Sequence, residues 1–233
     1  MMPAATTVQA SPLQHLASKQ TIQKILLACG ILSSLLYVAA NIIVPLQYPG
    51  YSSFSQAVSE LSAIGAPTRS LWITFIAPYG LLLFAFGCGV WLSSANSRAL
   101  KIVAVSLIVQ SIVGAFWPPM HMRGAPYSLT DSLHIAFTAV WLVFTILAIV
   151  SAATALGKLF RLYSILTLVT LLFFGALTGI QAPALAANQP TPWMGVWERI
   201  NIGVFMLWII VLATALLSSS TRPKPKQCSL SCC

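Results

Sequence analysis

LWITFIAPYGLLLFAFGCGVWL, residues 71–92, is a stretch of 22 residues without a single Lys, Arg, His, Asp or Glu. As a helix rising 1.5 Å per residue it would cross a hydrocarbon layer of ~30 Å. Such a layer offers no water to the peptide groups, so the helix, which satisfies them internally, is the form it imposes. Five further runs repeat the pattern at 25–44, 100–117, 133–156, 162–182 and 200–217. Six spans and their connections occupy nearly all of 24–218, leaving 1–23 and 219–233 as tails. The expected fold is all-α, a polytopic six-helix transmembrane bundle with the lipid bilayer as its solvent.

Composition agrees: 58% of the residues are apolar and 6% are charged, a balance that no water-exposed domain of 233 residues carries on its surface. The net charge of +9 invites a nucleic-acid reading. The basic residues, however, are scattered singly and in pairs near span ends, with no basic stripe or recognition motif, which argues against that class. They sort instead by side. With a cytoplasmic N-terminus, the inner segments hold Lys19, Lys24, Arg98, Lys101, Lys158, Arg161, Arg222, Lys224 and Lys226, nine of the twelve. The outer segments hold Arg69, Arg123 and Arg199, together with all three acids, Glu60, Asp131 and Glu198. This positive-inside bias predicts an N-in/C-in multi-pass protein of the cell membrane. A cleaved signal peptide ending near Val38-Ala39-Ala40 is the alternative for the first run, which nevertheless continues to Val44, beyond the usual length of such a segment. Cys29 and Cys88 read as packing residues. Cys228, Cys232 and Cys233 read as part of a cytoplasmic tail, with lipidation as the alternative.

The inner connections are short and the outer ones long, so function is expected on the outer side. Short inner turns also make spans two and three, and four and five, antiparallel neighbours. Asn41, Gln110, Gln181 and Asn201 fall in the outer halves of their runs and His134 at the start of the fourth. Such groups predict either a polar crater open outward or plain hydrogen bonding between helices.

Two outer segments carry the chemistry. In 48–67, Phe54, Val58, Leu61 and Gly65 recur at helical spacing beside Ser52, Ser55, Ser59 and Ser62, with Gln56 and Glu60. The spacing predicts a short amphipathic helix at the interface with its hydroxyls, amide and carboxylate toward water. A re-entrant cap whose serines satisfy backbone groups is the alternative. Farther on, Asp131 and His134 are three apart at a helix start and share a face there. As catalytic candidates, Asp131 could orient His134, with Ser59 or Ser62 as nucleophile and Glu60 close by. Gln56, Glu198 and Arg199 are the candidate substrate contacts. A capped helix start with a satisfied histidine is the plainer account of Asp131 and His134. No cofactor or metal is expected; zinc shared by Asp131 and His134 with His121, with Glu60 or Glu198 as further ligands, is the alternative, built on too few histidines at too loose a spacing.

Tyr-Pro-x-Tyr-Ser-x-x-Ser-Gln-x-x-Ser-Glu-Leu at Tyr48 to Leu61, Gly65-Ala66-Pro67, Trp117-Pro118, Asp131 with His134, and Gly195-x-Trp-Glu-Arg together resemble the six-span membrane family catalogued as domain of unknown function 998. The likeness covers about residues 22 to 218. Trp117 stands where that family tends to carry Phe, and Ser62 where Gly is common. The resemblance implies a multi-pass membrane protein without an established activity. There is also a remoter resemblance to membrane hydrolases that use a Ser, an Asp and three His, from whose metal chemistry this chain departs by lacking the third His in a span. Three functional classes follow, in order of preference. The first is a membrane partner or sensor docking through the Ser-rich loop, with its protein partner or small-molecule ligand unassigned. The second is a membrane-embedded hydrolase acting on a lipid or small polar substrate. The third is a small-solute transporter, disfavoured by the apolar inner halves of the spans.

Overall fold

The computed structural model describes residues 12–221 and is all-helical among them. Six helices are long and apolar enough to cross a membrane: α1 (Pro12–Ile43), α2 (Arg69–Ser93), α3 (Arg98–Ala115), α4 (Leu129–Ala155), α5 (Lys158–Ile180) and α7 (Met194–Thr221). A single turn, α6 (Ala182–Ala186), precedes the last. The first helix begins at Pro12, so it reaches back through residues 12–23 ahead of the apolar run. The cysteines of the C-terminal tail lie outside the described residues.

Each helix packs on its neighbours in a closed ring, α1–α2–α3–α4–α5–α7 and back to α1. The expected antiparallel pairs α2/α3 and α4/α5 are among these contacts. The first helix is a full member of the ring, with Leu27 and Ala40 completely buried. Small residues set how closely α1 and α2 approach. A Cβ on Gly30 would stand 2.7 Å from the Phe86 ring, and one on Gly89 2.9 Å from the Leu26 backbone. Without a hydrophobic drive between helices in lipid, such close packing is what holds them together.

The core centres on Phe86, Leu107, Phe205, Trp208 and Leu212, all essentially inaccessible. Trp141 of α4 meets Phe205 of α7 edge to face at 5.0 Å, and Trp208 donates to Ser164 Oγ of α5 at 3.1 Å. Asn201 joins the same pair of helices, its amide facing Leu171 O and Gly175 N of α5. The outer perimeter is oily, with Leu81, Leu159 and Phe173 largely exposed, as a bilayer-facing surface requires.

The ring has two unlike ends. At one, tight turns join α2 to α3 and α4 to α5. There Ser97 Oγ accepts from Leu100 N to cap α3, and Arg161 Nε donates to Ala153 O at the end of α4. At the other end lie the segments 44–68, 116–128 and 181–193. These three fold over the ring as a cap.

A loop cap braced by buried charge as candidate functional site

The cap is seated by an apolar underside. Val58 and Leu61 are buried against Ala40 and Val44 of α1 and Trp72 of α2, with Tyr37, Tyr48, Tyr51 and Ile202 around them. Within 54–65 only Val58–Ser62 is helical, as a 3-10 turn, so the amphipathic helix expected there does not form. Its apolar stripe breaks at Phe54, which is 65% exposed while Val58 and Leu61 are buried. The polar side chains meanwhile bind local backbone in place of a helical ladder. Gln56 Oε1 accepts from Ser52 N at 2.8 Å, and Ser62 Oγ donates to Ser59 O. The segment is closer to the cap whose serines satisfy backbone groups.

Glu60 is not turned to water but 4% exposed. It accepts from Ala57 N at 2.8 Å and from Gln56 Nε2 at 3.0 Å. Arg123 closes a bidentate pair on it, Nε to Oε2 at 2.8 Å and Nη2 to Oε1 at 2.9 Å. The same guanidinium donates to Ser55 O, to Thr191 Oγ1 at 2.7 Å and to Gln189 O. One side chain from 116–128 thus ties together all three cap segments. Beside it, Gly124 N donates to Asn188 Oδ1.

The start of α7 clamps the cap from the other side. Glu198 Oε2 accepts from Val58 N at 2.7 Å, at the opening of the 3-10 turn. Arg199 Nη1 reaches Ser53 O at 2.9 Å and Gly195 O at 3.1 Å, while Nη2 donates to the Tyr51 hydroxyl at 2.8 Å. That hydroxyl in turn donates to Ala57 O at 2.8 Å. Burial pushes the Tyr51 phenol up to about 12, against the opposing pull of Arg199, so it stays protonated and keeps both bonds. Gly195 lets these groups meet: a Cβ there would fall inside contact distance of the Ser53 and Gln56 carbonyl oxygens.

The third cluster is at the start of α4. Ser128 and Asp131 form a capping box, Ser128 Oγ accepting from Thr130 N and Asp131 Oδ2 accepting from Ser128 N at 2.9 Å. Asp131 also accepts from His121 N at 2.8 Å and pairs with His121 Nδ1 at 3.0 Å. The partner of Asp131 is therefore His121 and not His134, because the 116–128 segment folds back over the helix start. His134 Nδ1 lies 2.8 Å from Pro118 O and 3.0 Å from Trp117 Nε1. It donates to the first when protonated there and accepts from the second in the other tautomer, so it is satisfied either way. A parallel bridge links Ile64 to His121, with Ile64 N donating to Met120 O at 2.8 Å. Ser59 Oγ meets Met120 Sδ at 3.1 Å.

The candidate residues thus share one end of the molecule but divide into separate groups. Glu60 and Gln56 are with Arg123, Glu198 and Arg199 with the 51–58 backbone, Asp131 with His121 and Ser128, His134 with Trp117, and Ser59 with Met120. Among the described residues no three of His, Cys, Asp and Glu stand where they could hold one metal ion. Arg123 is the residue that sequence reasoning missed. A lone arginine in a Gly-Pro loop gives no spacing signal, although Glu60, an acid among apolar neighbours, needed a cationic partner. Neither the comparison with curated proteins nor that with solved structures gives a match. The family model described as a protein of unknown function (DUF998) matches residues 31–215, from within α1 to within α7, so the chain belongs to that family of multi-pass membrane proteins.

Proposed function

We propose that this protein is a membrane partner or sensor of the cell membrane, with both ends cytoplasmic and the braced cap facing outward as its docking surface. The orientation is supported by charge. Lys19, Lys24, Arg98, Lys101, Lys158 and Arg161 gather at the tight-turn end, where the positive-inside rule wants them. The docking role is carried by one observation: Glu60 and Arg123 neutralise each other while binding three segments into a single surface. A cap whose charges are consumed internally presents shape and aromatic surface, with Phe54, Phe116, Tyr127 and Trp193 each more than half exposed. Preformed surfaces of this kind bind with little ordering cost.

A hydrolase reading draws on Asp131 holding His121 Nδ1, which leaves Nε2 of a partly exposed ring to accept a proton. No serine hydroxyl in the described residues contacts that nitrogen, which favours the docking role over the hydrolase. Photo-crosslinking in cells tests the choice. A benzophenone side chain at Phe54 or Trp193 is expected to give a discrete protein adduct, whereas one at the lipid-facing Leu81 is not. Lipid adducts alone at all three positions would overturn the docking role.

A further inference from the structure

Far from the cap, α2 and α3 leave a groove on the bilayer-facing perimeter. It is lined by Cys88, Trp91 and Leu92 of α2 and by Val105 and Ile108 of α3, with a volume of about 430 Å³. Gly87 forms the narrow upper limit: a Cβ there would meet Ile108 Cγ1 at 2.7 Å, so the two helices close tightly at that level.

The groove has a charged mouth. Lys101, Val105 and Ile108 follow one another at i, i+4 and i+7, so the ammonium lies on the same stripe of α3 as the apolar lining. Lys101 Nζ sits 5.9 Å from the centroid of the Trp91 ring, one wall of the groove. Arg98 is three residues earlier on that face and is exposed. Neither forms an ion pair with an acid among the described residues. Lys101 is the fourth residue of α3 and Ile108 the eleventh, so the apolar floor lies about 10 Å deeper than the ammonium along the helix. That is the separation between a lipid phosphate and the upper part of its acyl chain.

We infer that this groove is a binding site for one anionic phospholipid, its phosphate held by Lys101 and Arg98 and an acyl chain laid along Cys88, Leu92, Val105 and Ile108. Charge complementarity selects the occupant: a zwitterionic lipid fills the apolar lining equally well but brings its own cation to a mouth that already holds two. The inference does not depend on the role of the cap or on which way the protein faces.

Native mass spectrometry of the full chain released from vesicles of equal phosphatidylglycerol and phosphatidylcholine tests it. The wild type is expected to retain one phosphatidylglycerol in preference to phosphatidylcholine. Lys101→Gln with Arg98→Gln is expected to lower that preference about twenty-five-fold, roughly five-fold for each charge removed. Val105→Trp, a change at a lipid-facing position, fills the groove and is expected to abolish retention of either lipid with both charges intact. Size-exclusion profiles matching wild type establish that the variants are folded; should the double variant fail to fold, Val105→Trp carries the test alone. Equal retention of the two lipids by the wild type, or undiminished phosphatidylglycerol on Val105→Trp, would overturn the site.

Discussion

Glu60 shows how a single residue organises the cap. A carboxylate 4% exposed is costly unless paired and fully hydrogen-bonded. Here four donors meet its two oxygens: Ala57 N, Gln56 Nε2, Arg123 Nε and Arg123 Nη2. Removing one member strands the other, a loss of about 3–5 kcal/mol for a buried pair. Arg123→Ala is therefore expected to be more disruptive than Glu60→Gln, which keeps shape and removes the charge that needs a partner. The effect should be local, since the ring below has its own core. Hydrogen exchange followed by mass spectrometry should show residues 48–67 losing protection in Arg123→Ala while the core of α2 and α7 keeps it. Uniform loss of protection across all helices would show that the pair supports the whole bundle.

Among the elements, α7 fastens ring to cap through its first turn, where Glu198 and Arg199 hold the 51–58 backbone. Gly195 permits that contact, so Gly195→Ala must push the Ser53–Gln56 segment outward. An overpacked buried site costs about 1–3 kcal/mol, and the expected result is a lowered melting temperature in detergent with faster proteolysis near residues 53–57. An unchanged melting temperature and cleavage pattern would mean that the cap tolerates a methyl group there. The helices themselves were legible from their apolar runs, because burial in lipid leaves a signal in every residue. Capping at Ser128 and Asp131 was legible in part, since Asp131 stands in the first turn where an acid is favoured. The cap was not. Whether 54–65 continues as a helix depends on competition between its periodicity and the pull of Gln56, Glu60 and Ser62 on local backbone, which only the surrounding segments decide. Likewise Asp131 has one histidine three residues away and another ten away. Helical spacing points to the first, and the fold-back of 116–128 delivers the second.

For the whole molecule, the end that faces the cytoplasm sets the environment of every residue in the cap. The ring is polarised: all three acids stand at the long-loop end, and six of the nine basic residues in the described part stand at the other. Insertion machinery retains Lys and Arg on the cytoplasmic side far more strongly than it discriminates acids. The three arginines at the cap end do not offset this, since Arg69, Arg123 and Arg199 are each bound to Ser62 O, Glu60 or loop carbonyls and none stands free. In a background with the native cysteines replaced, a cysteine at Phe54 is therefore expected to react with a membrane-impermeant maleimide in intact cells. One at Asn96, exposed in the α2–α3 turn, should react only after permeabilisation. The reverse pattern would place the cap in the cytoplasm and turn its docking surface toward soluble cytoplasmic partners. Reaction of both in intact cells would mean that α2, the single helix between the two positions, does not cross the membrane.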